Sequence, residues 1–344
     1  MILRSVLFIE LLGGIGDLLI ALPAIHALAR SHPLAHLTVL TFRPGSSLLQ
    51  SDPLVHRVIG LERPTGPVAG ARLRAWVADL LAAEFFDAII SDSRHSGLAD
   101  LVRQAPAVVR VDNLWRQPPI DRRNEEVFLL NLLAEGLVRP ETLDPVPRLY
   151  LTPAEQQAAA AWWQGQGLAR DRVVVLNPHS GMPVKAWPPD AFVQVARRLR
   201  AEGYPCAVIA GEHPQVARAL ADRSGALLLP PSDLRTLAAR LQGTAAVVSA
   251  DTGPARLAAA VGTPVVALFG PTWAGRYGLP APSVNLQSPF ACPELQPRNF
   301  TLQRCWWSGV CRYPEKVNCL EDIAPETVVQ AVWRLLTPEK ERPA

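Results

Sequence analysis

The sequence predicts an α/β protein built from two doubly wound, parallel-sheet domains of similar size. Three observations point there. Apolar runs such as 173–176 and 265–269 are unbroken, as strands buried on both faces of a parallel sheet must be. These runs alternate with helix-length segments along the whole chain, the pattern of βαβ units. Finally, 344 residues are too many for one typical domain, and the alternation restarts near Arg172 after a stretch holding Pro140, Pro145, Pro147 and Pro153. That stretch, 138–153, reads as the interdomain connection, with domains over 1–150 and 151–344.

The first strand is expected at 6–10. Gly13, Gly14 and Gly16 then form a turn, and Asp17 opens a helix to about Ser31, with a kink expected at Pro23. The spacing is not that of the G-x-G-x-x-G dinucleotide fingerprint. A glycine turn of this kind still brings backbone close to something, either a ligand or the neighbouring helix. Strands follow at 37–42 and 55–59, a helix at 73–84 and a strand at 86–90. The last ends in Ser91-Asp92-Ser93-Arg94-His95, and polar residues past the carboxyl end of a parallel strand occupy the ligand crevice of an open sheet. A strand at 108–111 leads into a loop with Trp115 and Arg116, and a helix is expected at 125–136.

In the second half a helix at 155–167 precedes the strand 173–176, whose loop carries Asn177-Pro178-His179-Ser180-Gly181 and then Lys185, Trp187 and Pro188. A helix at 190–202 and a strand at 206–210, ending in Gly211-Glu212-His213, come next. After a weak strand at 227–229 and a helix at 234–241, residues 247–272 read as strand, turn, helix and strand. Asp251 and Thr252 can cap that helix, Gly253 admits close backbone approach, and Pro254 suits the first helical turn. N–H groups at such a terminus, with the positive end of the helix dipole, make an anion site; the other reading is an ordinary capped helix. A last helix is expected at 325–336, ahead of a polar, disordered tail.

Composition narrows the function. Basic and acidic residues number 34 and 31, which leaves no nucleic-acid footprint. Lys185, Lys316 and Lys340 are the only lysines, so the arginine excess reflects overall usage and is not by itself a phosphate signal. No apolar run approaches the ~20 residues of a membrane span. The N-terminus has the outline of a signal peptide, but glycines and Asp17 interrupt its apolar run, so a cytoplasmic protein is expected.

Three groups of residues carry a resemblance. Gly14-Ile15-Gly16-Asp17 with Leu22-Pro23-Ala24, Asn177-Pro178-His179-Ser180-Gly181 with Lys185-Ala186-Trp187-Pro188, and Ser249-Ala250-Asp251-Thr252-Gly253-Pro254 with Phe269-Gly270-Pro271-Thr272 stand in the order found in glycosyltransferase family nine. This is the family of ADP-heptose lipopolysaccharide heptosyltransferases, and the chain resembles it over 6 to about 272, more weakly beyond. The resemblance implies a GT-B fold, two Rossmann-like domains facing across a cleft. It implies an inverting, metal-independent transfer of heptose or a related sugar, with no cofactor. The donor, an ADP-heptose-like nucleotide sugar, would bind mainly to the C-terminal domain. The acceptor, a lipopolysaccharide-type glycolipid or other surface glycan, would bind mainly to the N-terminal one. A cytoplasmic location with peripheral contact at the inner face of the inner membrane goes with such an acceptor.

By the same resemblance Asp17 matches the family's general base, and a carboxylate there could take the proton of an attacking hydroxyl. The competing reading is a helix cap without chemistry. Lys185 matches a lysine that contacts donor phosphates, where a diphosphate leaving group needs positive charge if no metal serves. Ser180 and Gly181 would add contacts, Asp251, Thr252 and Gly253 match the donor-phosphate turn, and Glu212 matches an acidic residue near the ribose. Asp92, Arg94, His95, Trp115 and Arg116 are candidate acceptor contacts, with core or surface roles as the alternative. Two positions depart from the family: Arg256 stands where histidine is common, and Leu11 where a basic residue is. Arginine could strengthen phosphate binding or mark a different donor.

Cys292, Cys305, Cys311 and Cys319 cluster late in the chain, while Cys206 falls in a strand. Without a C-x-x-C pair the expectation is reduced structural thiols and no metal, with a metal-stapled loop as the weaker reading. Two alternatives to a glycosyltransferase stay open: a nucleotide-sugar epimerase of the same architecture, and a nucleotide-sugar-binding protein without catalysis.

Overall fold

The computed structural model describes residues 2–115, 121–211, 214–313 and 315–337. The chain divides into two units, Met1–Leu151 and Thr152–Ala344.

The first unit contains strands β1 (Ser5–Glu10), β2 (His36–Phe42), β3 (Arg57–Leu61), β4 (Ala88–Ser91) and β5 (Val109–Val111), all parallel, in the order β3-β2-β1-β4-β5. Helices α1 (Ile15–Ser31), α2 (Ala69–Ala83), α3 (Leu98–Gln104) and α4 (Asn124–Ala134) link and cover them. Leu7, Ile9, Leu40 and Ile89 of the sheet pack with Leu73 and Val77 of α2 and with Leu98 and Val102 of α3. Side chains that alternate along a strand and recur every three or four residues on a helix meet in this way. Helix α1 runs continuously through Pro23, and its middle from Leu18 to Leu28 is buried. That burial holds the helix together where Pro23 removes a hydrogen bond.

The expected connection is not a free linker. His32 Nε2 and the Leu137 carbonyl are 2.8 Å apart, Ser31 Oγ and Thr142 Oγ1 2.9 Å, and the Tyr150 ring lies against His26. Residues up to 151 are thereby tied to α1 and belong to the first unit.

The second unit opens with α5 (Pro153–Gly165), capped by Thr152: its hydroxyl accepts from the Glu155 amide at 3.2 Å, and the Glu155 carboxylate accepts from the Thr152 amide at 2.7 Å. Strands β6 (Val174–Asn177), β7 (Cys206–Ile209), β8 (Leu227–Leu229), β9 (Ala246–Ala250), β10 (Val265–Phe269) and β11 (Val284–Gln287) form a parallel sheet ordered β11-β10-β9-β6-β7-β8. Between them run α6 (Pro189–Ala201), α7 (Pro214–Ser224), α8 (Leu234–Leu241), α9 (Gly253–Ala260) and α10 (Ala274–Tyr277); α11 (Arg304–Ser308) and α12 (Pro325–Leu336) close the chain. Val174, Leu176, Val208, Val248 and Val266 of the sheet pack with Phe192, Val195 and Leu199 of α6 and with Val328 and Val332 of α12.

Each sheet is therefore wound in the Rossmann manner. The order in which strands are added reverses beside the first strand, between β1 and β4 in one unit and between β6 and β9 in the other. These two switch points are where open sheets of this kind bind ligands.

Candidate active site

The two switch points collect most of the motif residues. In the first unit the turn after β1 leads into α1, with Gly14 at the N-cap position. Asp17 sits in the first turn, not at the opening residue, and its Oδ2 accepts the Gly14 amide at 3.0 Å. A negative charge at the start of a helix is stabilised by the unpaired amides there. Gly13 lies close to this carboxylate: a Cβ on it would stand 2.6 Å from Asp17 Oδ2, so a larger residue there would push the carboxylate aside.

Two more carboxylates stand nearby. Glu10, the last residue of β1, is buried and takes hydrogen bonds from the Thr41 hydroxyl and, at 3.3 Å, the Leu12 amide. Burial first, and then the charge of Asp17, pushes Glu10 up to about 7. Asp92 follows β4, next to Glu10 in the β1–β4 register, and its amide donates to the Ile9 carbonyl at 3.0 Å. Burial, then the charges of Glu10 and Asp17, hold Asp92 well above the usual aspartate range. Like charges in a low-dielectric setting cannot all remain ionised, so two of the three carboxyls are biased toward the protonated form. Glu10 was missed in the sequence, although a charged residue ending a buried strand is the signal that could have found it.

The remaining first-unit candidates are less gathered. Arg94 and His95 are exposed, beside Ser96 with its left-handed backbone (φ 55°). Trp115 is half-buried, edge-on to Phe128 with ring centroids 4.9 Å apart. Arg116 lies outside the described residues. Leu11 is buried in the sheet core, so its apolar character is explained by packing.

In the second unit, Asn177 at the end of β6 and Ser249 on β9 are partners in register. Asn177 Nδ2 donates to Ser249 Oγ at 3.0 Å and to Thr252 Oγ1 at 3.1 Å, and Ser249 Oγ lies 3.0 Å from Thr252 Oγ1. This network occupies the Thr252 hydroxyl. Thr252 holds the N-cap position of α9, yet makes no side-chain cap, which corrects the expectation that it would. Asp251 does not cap the helix either. Lys185 Nζ donates to its Oδ2 at 2.9 Å, and an Arg256 guanidinium nitrogen lies 3.4 Å from Oδ1. Burial pushes the Asp251 carboxyl up, but the charges of Lys185 and Arg256 outweigh it and hold it below the usual range. One carboxylate between two cations leaves a surplus positive charge beside an uncapped helix N-terminus, which is what an anion requires.

Arg256 is buried and also donates to the Tyr277 carbonyl at 2.7 Å. Its role in the structure is to tie α9 to α10. Ser180 closes its own turn, bonding the Met182 carbonyl at 3.0 Å and the Met182 amide at 3.2 Å, with Gly181 exposed beside it. His179 Nε2 lies 3.0 Å from the Ile209 carbonyl, and its ring packs on Gly211, whose Cβ would come within 2.4 Å. Glu212 lies outside the described residues. The cysteines are all free thiols, and among the described residues no three His, Cys, Asp or Glu side chains are gathered as they stand to hold a metal ion. Among the described residues no helix is long and apolar enough to cross a membrane.

Comparison with known proteins gives a consistent picture. The model of glycosyltransferase family 9 (heptosyltransferase) matches residues 125–295. Lipopolysaccharide heptosyltransferase 3 of Escherichia coli K12 is 23% identical over 296 residues, 76% of this chain and 86% of that protein. Lipopolysaccharide heptosyltransferase 1 of Pseudomonas aeruginosa is 34% identical over 125 residues, 35% of each chain. Among solved structures, a family 9 glycosyl transferase from Veillonella parvula superposes with a TM-score of 0.77 at 18% identity, covering 97% of both chains. The E. coli heptosyltransferase WaaC with ADP gives 0.67 at 20% identity, over 96% of this chain and all of that one. The fold is the GT-B fold of these enzymes.

Proposed function

We propose that this chain, a heptosyltransferase-like glycosyltransferase of family nine, moves a heptose or closely related sugar from a nucleotide diphosphate to a hydroxyl of a surface-glycan acceptor with inversion at the anomeric carbon. The observation that carries this reading is the Lys185–Asp251–Arg256 group beside the uncapped start of α9. It offers one net positive charge and oriented amides to a diphosphate, with no metal assigned to the step. The solved relative with bound ADP makes an adenosine diphosphate the first donor nucleotide to try.

In the reaction the acceptor oxygen bonds to the anomeric carbon while its proton passes to the Asp17 carboxylate. The bond from that carbon to the diphosphate oxygen breaks, and the electron pair leaves with the nucleotide diphosphate. Lys185 and the amides opening α9 take up the added charge. Glu10 and Asp92, biased toward protonation, spare Asp17 from facing two buried negative charges as it works. The second unit holds the donor in this reading and the first the acceptor, with Asp92, Arg94, His95, Trp115 and Arg116 among its contacts. Peripheral attachment to the inner face of the inner membrane would deliver a lipid-linked acceptor.

The test is calorimetry and transfer with ADP-heptose. Asp17→Asn should bind donor as the parent does and fail to transfer, whereas Lys185→Ala should lose donor affinity. Undiminished transfer by Asp17→Asn would refute the assigned base. Binding without transfer in the parent, across lipopolysaccharide-core acceptors, would favour a binding protein without catalysis.

A further inference from the structure

We infer that Trp273 is the shelf on which the transferred sugar lies, its indole face taking the C–H side of the pyranose and its N–H bonding a sugar hydroxyl. This rests on the reading of the α9 start as the diphosphate site and assigns what stands beyond the diphosphate.

Strand order brings Trp273 to this place. β10 pairs with β9 in parallel, Leu268 opposite Ala250, so the loops after the two strands leave the sheet side by side. One opens with Asp251-Thr252-Gly253, the other with Gly270-Pro271-Thr272-Trp273. Thr272 is buried against the Asp251 carboxylate. Gly270 and Pro271 are buried as well, and half-buried Trp273 is the first residue of its loop to emerge. β6, whose loop carries Lys185, lies on the other side of β9. A diphosphate at the α9 start thus has the ammonium on one hand and the indole on the other.

The ring is seated before any ligand arrives. Trp273 holds the N-cap position of α10, and its carbonyl accepts the Arg276 amide at 3.0 Å and the Tyr277 amide at 2.9 Å. Its six-membered ring lies across Gly275, where a Cβ would stand 2.5 Å from Cζ2 and 2.6 Å from Cη2. A side chain at Gly275 would push the indole off this seat. With backbone beneath it, the ring is rigid and still partly open to solvent. Its N–H is uncommitted too. Trp163, Trp187 and Trp307 give theirs to the carbonyls of Arg240, Ile323 and Thr301. Among the described residues Trp273 Nε1 has no such partner and is not sealed from water.

A rigid aromatic surface with a donor at its edge is an amphipathic contact, apolar over its area and polar at one point. A pyranose matches it, with C–H groups across one face and hydroxyls around its rim. Ligand sites combine apolar walls with a few placed polar groups in this way. A purine is apolar on both faces and is held best between two walls, whereas Trp273 supplies one. The sugar end of the donor therefore fits the indole better than the nucleoside end.

The test is calorimetry on the full chain with ADP and with ADP-heptose, which differ only in the sugar. Trp273→Ala should weaken ADP-heptose roughly tenfold and leave ADP within about twofold of the parent. Trp273→Phe keeps an aromatic face and loses the N–H, so it should give up only part of that factor. Gly275→Ala leaves the indole in the chain but displaces it, and should behave as Trp273→Ala does. If the alanine variants fail to fold, Trp273→Leu, which fills space without a flat face, decides in their place. Equal losses for both ligands would put the base on the ring and overturn the sugar shelf. So would an affinity for ADP-heptose that none of these substitutions alters. Parent protein that binds neither ligand would overturn the diphosphate site itself, a failure visible before any variant is made.

Discussion

The Lys185 ammonium stands 2.9 Å from Asp251 Oδ2, so the loops that follow two neighbouring strands, β6 and β9, are joined by an ion pair largely withdrawn from water. Asp251 faces Arg256 as well, and the carboxylate is what allows two cations to share one corner of the sheet. Asp251→Ala would leave both cations without it. Removing one partner of a buried pair typically costs about 3–5 kcal/mol, so chemical denaturation should register a loss of that size. A variant within about 0.5 kcal/mol of the parent would show that the group is not structurally coupled.

Lys185→Ala has the opposite profile. Asp251 keeps Arg256, so stability should fall only modestly, while a nucleotide diphosphate loses one charge-assisted hydrogen bond. Such a bond is worth about 1.5–3 kcal/mol, or roughly tenfold to a hundredfold in Kd by calorimetry. Lys185→Arg should recover part of the affinity because the charge is restored, though the planar fork does not reproduce the ammonium geometry.

Asp17→Asn keeps the shape of the side chain and removes the base. A loss of about 10²–10⁴-fold in kcat with donor Kd unchanged is expected. Gly13→Ala tests the same carboxylate from outside, since the new methyl group would meet Asp17 Oδ2 at 2.6 Å. It should depress kcat and leave donor affinity alone. If Gly13→Ala turned over normally, the placement of the carboxylate against that glycine would be irrelevant to catalysis.

How much of this was legible beforehand depends on the range over which each feature is encoded. Parallel strands announce themselves locally, because burial on both faces leaves no polar alternation, and β6, β9 and β10 appear at their expected places. The edge strand β11 was not expected: Val-Asn-Leu-Gln is half-buried and reads as loop. Motif spacing identified Lys185, Asp251 and Arg256 singly. That they form one charge group is a consequence of strand order, which places β6 beside β9 across 66 residues of sequence. The Thr252 cap failed for the same reason. Its hydroxyl had a competing partner, Asn177, that local capping rules do not see. Glu10 went unremarked because a single charge ending a strand is silent until Asp92 and Asp17 are brought next to it.

Those three carboxyls give the molecule a pH-dependent stability whose sign differs from that of most acidic groups. The folded-state value of Glu10 is raised, from 4.5 to about 7, by burial and then by the charge of Asp17. A raised group contributes stability that is complete below its unfolded value and is lost as pH rises through the folded one, since ionising it in the fold is the costly event. The contribution of Glu10 therefore declines between about pH 4.5 and about pH 7 and is absent above. Its ceiling is on the order of 3 kcal/mol. Asp92 acts in the same direction. Glu10→Gln mimics the protonated form, and the Thr41 hydroxyl can turn to accept from the new amide. The variant should thus match the parent near pH 5 and exceed it near pH 8, in urea melts at both values. Parallel stability curves for the two proteins would mean that Glu10 is ionised in the fold throughout, and that the negative charge around Asp17 is balanced by some other group.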